Sequence, residues 1–325
     1  MNLNDFIDNA LKVKSIEAVS DFYIQDSSGI VVSGDEMAIS KTLLKELTRF
    51  SIVNIDSDAD KASLIGVLIG SHDERPFIYR RKFNNQNIEE ELHFCQIGLT
   101  VNPKCQGAFT RIRELLLINK NQSQITKHIE FCNFLTTKRE RNYLLWSHRV
   151  WLYDTFSLET DEISWVSNWT KCHPSDSSAF AYYQHIMPKD TEFLQKELKQ
   201  NTINLFEFPG HESLWSFRKF LLQSLSKSIS VPSGWKHINN IHEDLILPEQ
   251  LFGSQITDAY IELAQKFAVK LSLIPVEYDI PEKSEFNLLN ENLIVQIALS
   301  DDYPTEFQAQ QTAAKRYFRW IHAML

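Results

Sequence analysis

Apolar residues recur at helical spacing through the middle of the chain. Ile88, Leu92, Cys95 and Leu99 follow i, i+4, i+7, i+11, and Ile125, Ile129, Cys132 and Leu135 follow i, i+4, i+7, i+10. Each set traces one apolar stripe on one helix. Turn-forming residues come next: Asn102-Pro103, Arg141-Asn142, Pro174-Ser175-Asp176 and Pro209-Gly210-His211. They end one helix and cap the following one. A further helix with a large aromatic then follows each turn. The pattern predicts pairs of helices joined by short turns.

The pairs repeat. The aromatics Phe109, Trp146, Phe180 and Trp215 are separated by 37, 34 and 35 residues. A second anchor lies fifteen residues ahead of the first three: Phe94-Cys95, Phe131-Cys132 and Trp165-Val166. In the fourth unit Gln200-Asn201 occupies that offset, so the helix there has slipped or changed. A two-helix unit cannot bury its own apolar faces, so a period near 35 predicts stacked hairpins in a right-handed α-solenoid. The large aromatics are expected as wedges between hairpins.

The flanks break the period. Residues 1–85 contain two β-branched runs, FYIQDSSGIVV and ASLIGVLIG, beside a helix over 39–50. They are expected to form a small irregular or β cap with a short hairpin. The repeats are placed at 86–225. Residues 226–250 are rich in polar residues and read as a loop. Helices are expected to resume over 251–274, 286–299 and 304–324, with AAKRYFRWIHAML as a degenerate repeat in the region 251–325.

Composition narrows the function. The chain has 325 residues, 43% hydrophobic and 23% charged, which is globular. Its nine glycines include no phosphate-cradling G-x-x-x-x-G-K-[ST] loop and no G-x-G-x-x-G. A formal net charge of −9 weighs against nucleic-acid binding. The longest apolar run, Ala62 to Gly70, is too short to span a bilayer. The start, MNLNDFIDNALKVK, carries acids early and does not read as a signal peptide. Cys95, Cys105, Cys132 and Cys172 form no C-x-x-C pair, which suggests free thiols in a reducing, cytoplasmic setting. Cys95 and Cys132 sit in apolar stripes and are expected as small core residues.

The motif N-Y-x-x-W-x-x-R stands at Asn142, Tyr143, Trp146 and Arg149. The fourth unit, FPGHESLWSFRKFLL, supplies Trp215 and Arg218; the third has Phe180 for Trp and Tyr183 for Arg. The first has Phe109, with Arg111 and Arg113 straddling Ile112. This motif resembles the repeat of protein prenyltransferase α subunits. The resemblance is firm over roughly 85–225 and weak in the flanks.

The resemblance implies the α subunit of a heterodimer. Its β subunit, of the kind shared with Rab geranylgeranyltransferase, would hold the catalytic zinc and the isoprenoid pocket. The co-substrate would be geranylgeranyl diphosphate, the acceptors would be proteins with C-terminal cysteines, and the chain alone would be inactive. In better-studied relatives a Lys-Asn-Tyr triplet turns its lysine and tyrosine to the diphosphate; here Arg141-Asn142-Tyr143 matches. Two readings of the triplet stand side by side. Arg141 and Tyr143 face diphosphate, or Asn142 caps a helix and Tyr143 packs on its neighbour. Asn142, Trp146, Arg149, Phe180, Trp215 and Arg218 are expected as repeat anchors or subunit-interface residues. His148 and His211 are expected as rim or core hydrogen-bonders. The nearest metal-like pairings, Cys172-His173 and His93-x-Cys95, lack partners at ligand spacing, so no metal site is expected in this chain. A tetratricopeptide-like adaptor, reading a peptide on its concave face, is the rival class.

Overall fold

The computed structural model describes residues 3–24, 27–83, 87–158, 161–208 and 211–228. The chain divides into two units, Met1–Glu162 and Ile163–Leu325. The expected loop over 226–250, apart from 226–228, and the expected helices over 251–325 lie outside the described residues, as does the Pro209-Gly210 turn.

The first unit opens with α1 (Leu3–Ala10), which buries Phe6 and Ala10. Three strands follow: β1 (Ser15–Val19), β2 (Ile30–Ser33) and β3 (Glu36–Ser40), in the spatial order β1-β3-β2. β2 and β3 form a hairpin, pairing Ile30 with Ile39 and Ser33 with Glu36; β2 falls largely in the run FYIQDSSGIVV, and β3 in neither of the two β-branched runs. Gly34, at φ 58°, sits in its two-residue turn, where a side chain is disfavoured. β1 runs parallel to β3, Ser15 opposite Glu36. Ile16, Met37 and Ile39 turn inward and are buried. Ser40 then caps α2 (Lys41–Val53), its hydroxyl accepting from the Leu43 N–H at 3.0 Å.

The run ASLIGVLIG is not a strand. It lies in α3 (Ala59–Leu68) and the turn after it. Ala62, Ser63, Ile65, Gly66, Val67 and Leu68 are all buried. A helix covered on every side shows no amphipathic period, and its β-branched content imitates a strand. α3 pairs with α4 (Arg75–Phe83) as a helical hairpin ahead of the first expected repeat. Phe77 on α4 is buried at the place that Phe109 takes one hairpin later. The helical hairpins therefore begin inside the region assigned to the cap.

α5 (Ile88–Val101) with α6 (Gln106–Asn119), and α7 (Gln122–Lys138) with α8 (Tyr143–Thr155), are the first two expected pairs. The second unit holds α10 (Ser177–Ile186), α11 (Thr191–Glu207), α12 (Glu212–Ser228) and all but the first residue of α9 (Glu162–Cys172). Side chains of Asn87, Asn121, Asn142, Asp176 and Asp190 accept from the N–H three residues on, capping α5, α7, α8, α10 and α11. The four aromatic anchors Phe109, Trp146, Phe180 and Trp215 are each no more than 3% exposed.

The preceding anchor resolves to its second residue. Cys95, Cys132 and Val166 are fully buried, and Asn201 is 2% exposed at the same place on α11. Asn201 keeps the position because its amide donates to the Leu214 carbonyl at 3.0 Å, linking α11 to α12 by a hydrogen bond. The hairpin has not slipped; a polar clasp stands where the others have a small apolar residue. The described helices and the N-terminal sheet make the fold an α-solenoid type of helical hairpins with a small β cap. Among the described residues no helix is long and apolar enough to cross a membrane.

Candidate functional site

The turns at the starts of the second helices share a device. Asn142 is fully buried; its side-chain oxygen accepts from the Leu145 N–H at 3.4 Å, and its amide nitrogen donates to the Pro103 carbonyl one hairpin earlier. In the second unit the Ser213 hydroxyl donates to the Pro174 carbonyl. Both bonds span 39 residues. Arg141, just before Asn142, adopts a left-handed φ of 54°, uncommon for a residue with a side chain. It turns the chain so that Asn142 enters the adjacent turn. Asn142 is thus a cap and a stitch between repeats.

In the first unit a cavity of about 240 Å³ opens beside the starts of α4, α6 and α8. Its walls include His72, Asp73, Glu74, Lys104, Gln106 and Tyr143. Gln106 begins α6 and Tyr143 begins α8, so two helix N-termini reach the same space. Helix N-termini carry unsatisfied N–H groups and favour anions. Tyr143 is 61% exposed. The Arg75 guanidinium bonds Asp73 at 2.5 Å and holds its carboxyl below the ordinary range. Of the proposed diphosphate-facing pair, Tyr143 borders the cavity and Arg141 does not. Arg141 lies exposed on the turn. The cation in the wall is Lys104, which sequence reasoning missed. Its signal was its place in the Asn102-Pro103-Lys104 turn, one hairpin ahead of the triplet.

The Trp–Arg pair is buried. Trp146 is 2% and Arg149 1% exposed, and the guanidinium lies 5.8 Å from the indole centroid. Arg149 donates to the Asn133 side chain at 2.7 Å and to Glu162 at 2.6 Å. Glu162 is the first residue of α9, so the arginine reaches the helix that follows its own hairpin. Tyr183 stands in the arginine position of the third unit and faces Glu197 on α11, again the next helix, but its buried hydroxyl makes no hydrogen bond there. Burial raises the Tyr183 hydroxyl and the Glu197 carboxyl, which keeps both neutral more readily. Phe180 packs on Phe217 with ring centroids 5.1 Å apart, and Arg218 is 1% exposed.

His128, Cys132 and His148 converge in the first unit with their ligand atoms within 4.8 Å of one another, all buried. Sequence spacing does not join them, because His148 comes from α8 and the other two from α7. Their proton inventory argues against a metal. Arg113 Nε donates to His148 Nδ1 at 3.2 Å, and a guanidinium only donates. The His148 proton therefore sits on Nε2, which meets His128 Nε2 at 2.8 Å. His128 accepts there and carries its own proton on Nδ1; the Gln96 amide lies 3.1 Å away and accepts this proton when turned to present its oxygen. A metal would need a lone pair on the His148 Nε2, which this arrangement protonates. Burial, then the Arg149 charge, pushes His128 down to about 3. Burial raises the Cys132 thiol to about 12. The trio is a neutral clasp and does not fit zinc.

Stacked helical hairpins with buried aromatic wedges, linked turn to turn, define a helical-repeat protein. Residues 194–225, covering most of α11 and α12, match the protein prenyltransferase alpha subunit repeat, and the chain carries that repeat. It is similar to the "Protein prenyltransferase alpha subunit repeat-containing protein 1" of Homo sapiens, at 25% identity over 42% of this chain and 50% of that one. The Danio rerio protein of the same description is 20% identical over 69% of this chain and 61% of its own length. The 1-B form of Xenopus laevis is 24% identical over 44% and 41%. The chain spans about half the length of these curated relatives.

Proposed function

We propose that the chain is the α-type subunit of a heterodimeric protein geranylgeranyltransferase. It seats a zinc-bearing β subunit of the kind shared with Rab geranylgeranyltransferase and contributes one wall to the diphosphate site. The observation that carries this reading is the cavity at the N-termini of α6 and α8, with Lys104 and Tyr143 in its wall. In the transfer, a cysteine sulfur of the acceptor protein bonds to the prenyl carbon while that carbon's bond to the diphosphate oxygen breaks. The thiol proton leaves and negative charge accumulates on the diphosphate. Lys104, Tyr143 and the helix ends are groups that stabilise such charge; Asp73 in the same wall is held by Arg75, whereas Glu74 opposes that stabilisation. The clasp of His128, Cys132 and His148 does not fit zinc, so thiolate activation falls to the partner. The chain alone is then inert, and the protein works in the cytoplasm on C-terminal cysteines.

The test is co-expression with a Rab-type β subunit, followed by transfer of labelled geranylgeranyl to a C-terminal cysteine. A one-to-one complex that turns over is the expected result. Lys104→Glu is expected to leave assembly intact and to lower turnover by about 100-fold or more, the scale of losing one charge-stabilising group. Arg141→Glu is expected to do less. Failure of the two chains to co-purify would overturn the reading and leave an adaptor built on the same repeat.

A further inference from the structure

The buried and half-buried arginines described in the first unit are paired with acids, with one exception. Arg80 holds Glu91 and Asp60, Arg81 and Arg111 hold Glu114, and Arg149 holds Glu162. Arg113, on α6, meets no carboxylate among the described residues. Its Nε donates to His148 Nδ1 at 3.2 Å, and its guanidinium carbon lies 5.5 Å from the Trp151 ring centroid. Partial burial lowers its pKa, and no acid offsets that cost.

The guanidinium is nevertheless positioned. Arg113 Nε can only donate, so His148 Nδ1 accepts from it and the His148 proton points to His128, beside which the Gln96 amide packs. Four helices, α5, α6, α7 and α8, thus fix one nitrogen of Arg113. Arg113 is half-buried, and no described residue takes its terminal N–H groups in an ion pair. One turn further along that helix, Leu117 is 44% and Ile118 61% exposed. An oriented cation stacked on an indole and flanked by exposed aliphatics matches the centre of a protein interface. A planar fork of this kind takes a carboxylate through two parallel bonds.

We propose that Arg113 anchors the partner interface, its terminal N–H groups receiving a carboxylate side chain of the β-type subunit while Leu117 and Ile118 pack beside it. This rests on the heterodimer reading above and names the residue and chemistry through which the partner is held. Arg113 is an interface residue; His148 and His128 are positioning residues behind it.

The experiment measures the dissociation constant between the full chain and the β subunit at rising NaCl. Arg113→Gln keeps a side-chain donor for His148 but removes the charge. It is expected to leave the thermal midpoint unchanged, to weaken binding by at least about tenfold, and to flatten the salt dependence. Arg113→Glu weakens binding further. Arg113→Lys, which keeps the charge without the fork, falls between wild type and Arg113→Gln and serves as the measure should the Gln variant fold poorly. Wild-type binding with Arg113→Glu binding equally well overturns this inference and spares the heterodimer. No binding by the wild-type chain overturns both.

Discussion

Arg149 shows how one side chain can hold a repeat array together. Its charge is buried and is answered by Glu162, itself 4% exposed. Removing one member of such a pair strands the other in a low-dielectric site. Arg149→Ala is expected to cost about 3–5 kcal/mol, read from urea unfolding. Arg149→Met combined with Glu162→Gln is expected to recover much of that loss. A single variant within about 1 kcal/mol of wild type would show that the pair adds little. The W-x-x-R spacing made Arg149 legible in the sequence, because an aromatic and a cation one turn apart recur with the period. Its partner was not legible, since Glu162 opens a helix that carries no charge pattern of its own.

Helix pairs meet through small residues and through polar clasps. A Cβ on Gly98 of α5 would lie 2.1 Å from the Val67 carbonyl oxygen, and one on Gly70 would lie 2.4 Å from the Gly98 carbonyl oxygen. Backbone on backbone cannot yield as a side-chain tip can. Gly98→Ala is therefore expected to destabilise by about 1–3 kcal/mol or more, whereas the surface turn Gly34→Ala pays only for its positive φ, about 1–2 kcal/mol. Thermal midpoints of the two variants distinguish them. The histidine clasp makes a different prediction. His128 titrates near 6.5 when unfolded and is pushed down to about 3 in the fold. The unfolded chain thus binds the proton first as pH falls. The contribution is complete above about pH 6.5 and declines progressively toward pH 3. His148 is lowered too, by burial and then by His128, Arg113 and Arg149, and acts in the same direction. Wild type is expected to lose urea-midpoint stability between about pH 7 and pH 5. His128→Gln, which bonds without titrating, is expected to show a shallower decline. Equal slopes would remove the clasp from the acid response. Neither Gly98 nor the clasp announced itself in the sequence, because each acts through residues about a hairpin away.

On the proposed function, the whole chain is one subunit of a heterodimer. It carries a repeat matched to prenyltransferase α subunits, a cavity walled by a lysine, a tyrosine and helix ends, and a clasp unsuited to zinc. On the heterodimer reading, its contribution to catalysis is placement and charge, and the nucleophile is activated elsewhere. The β cap is tied to the first unit through Thr100 of α5, whose hydroxyl oxygen accepts from the Ile16 N–H at 2.8 Å. That bond joins residues 84 apart and no local pattern foretells it. The 35-residue period, the helix pairs, the caps Asn142 and Asp176 and the buried aromatics were readable from the sequence, because each depends on neighbours within one or two turns. The tertiary structure alone decided that ASLIGVLIG is a helix, that Lys104 rather than Arg141 lines the cavity, and that two histidines and an arginine form one relay. These depend on stacking. Stacking brings together residues about a repeat apart, and burial on every side erases the amphipathic signal that sequence reading uses.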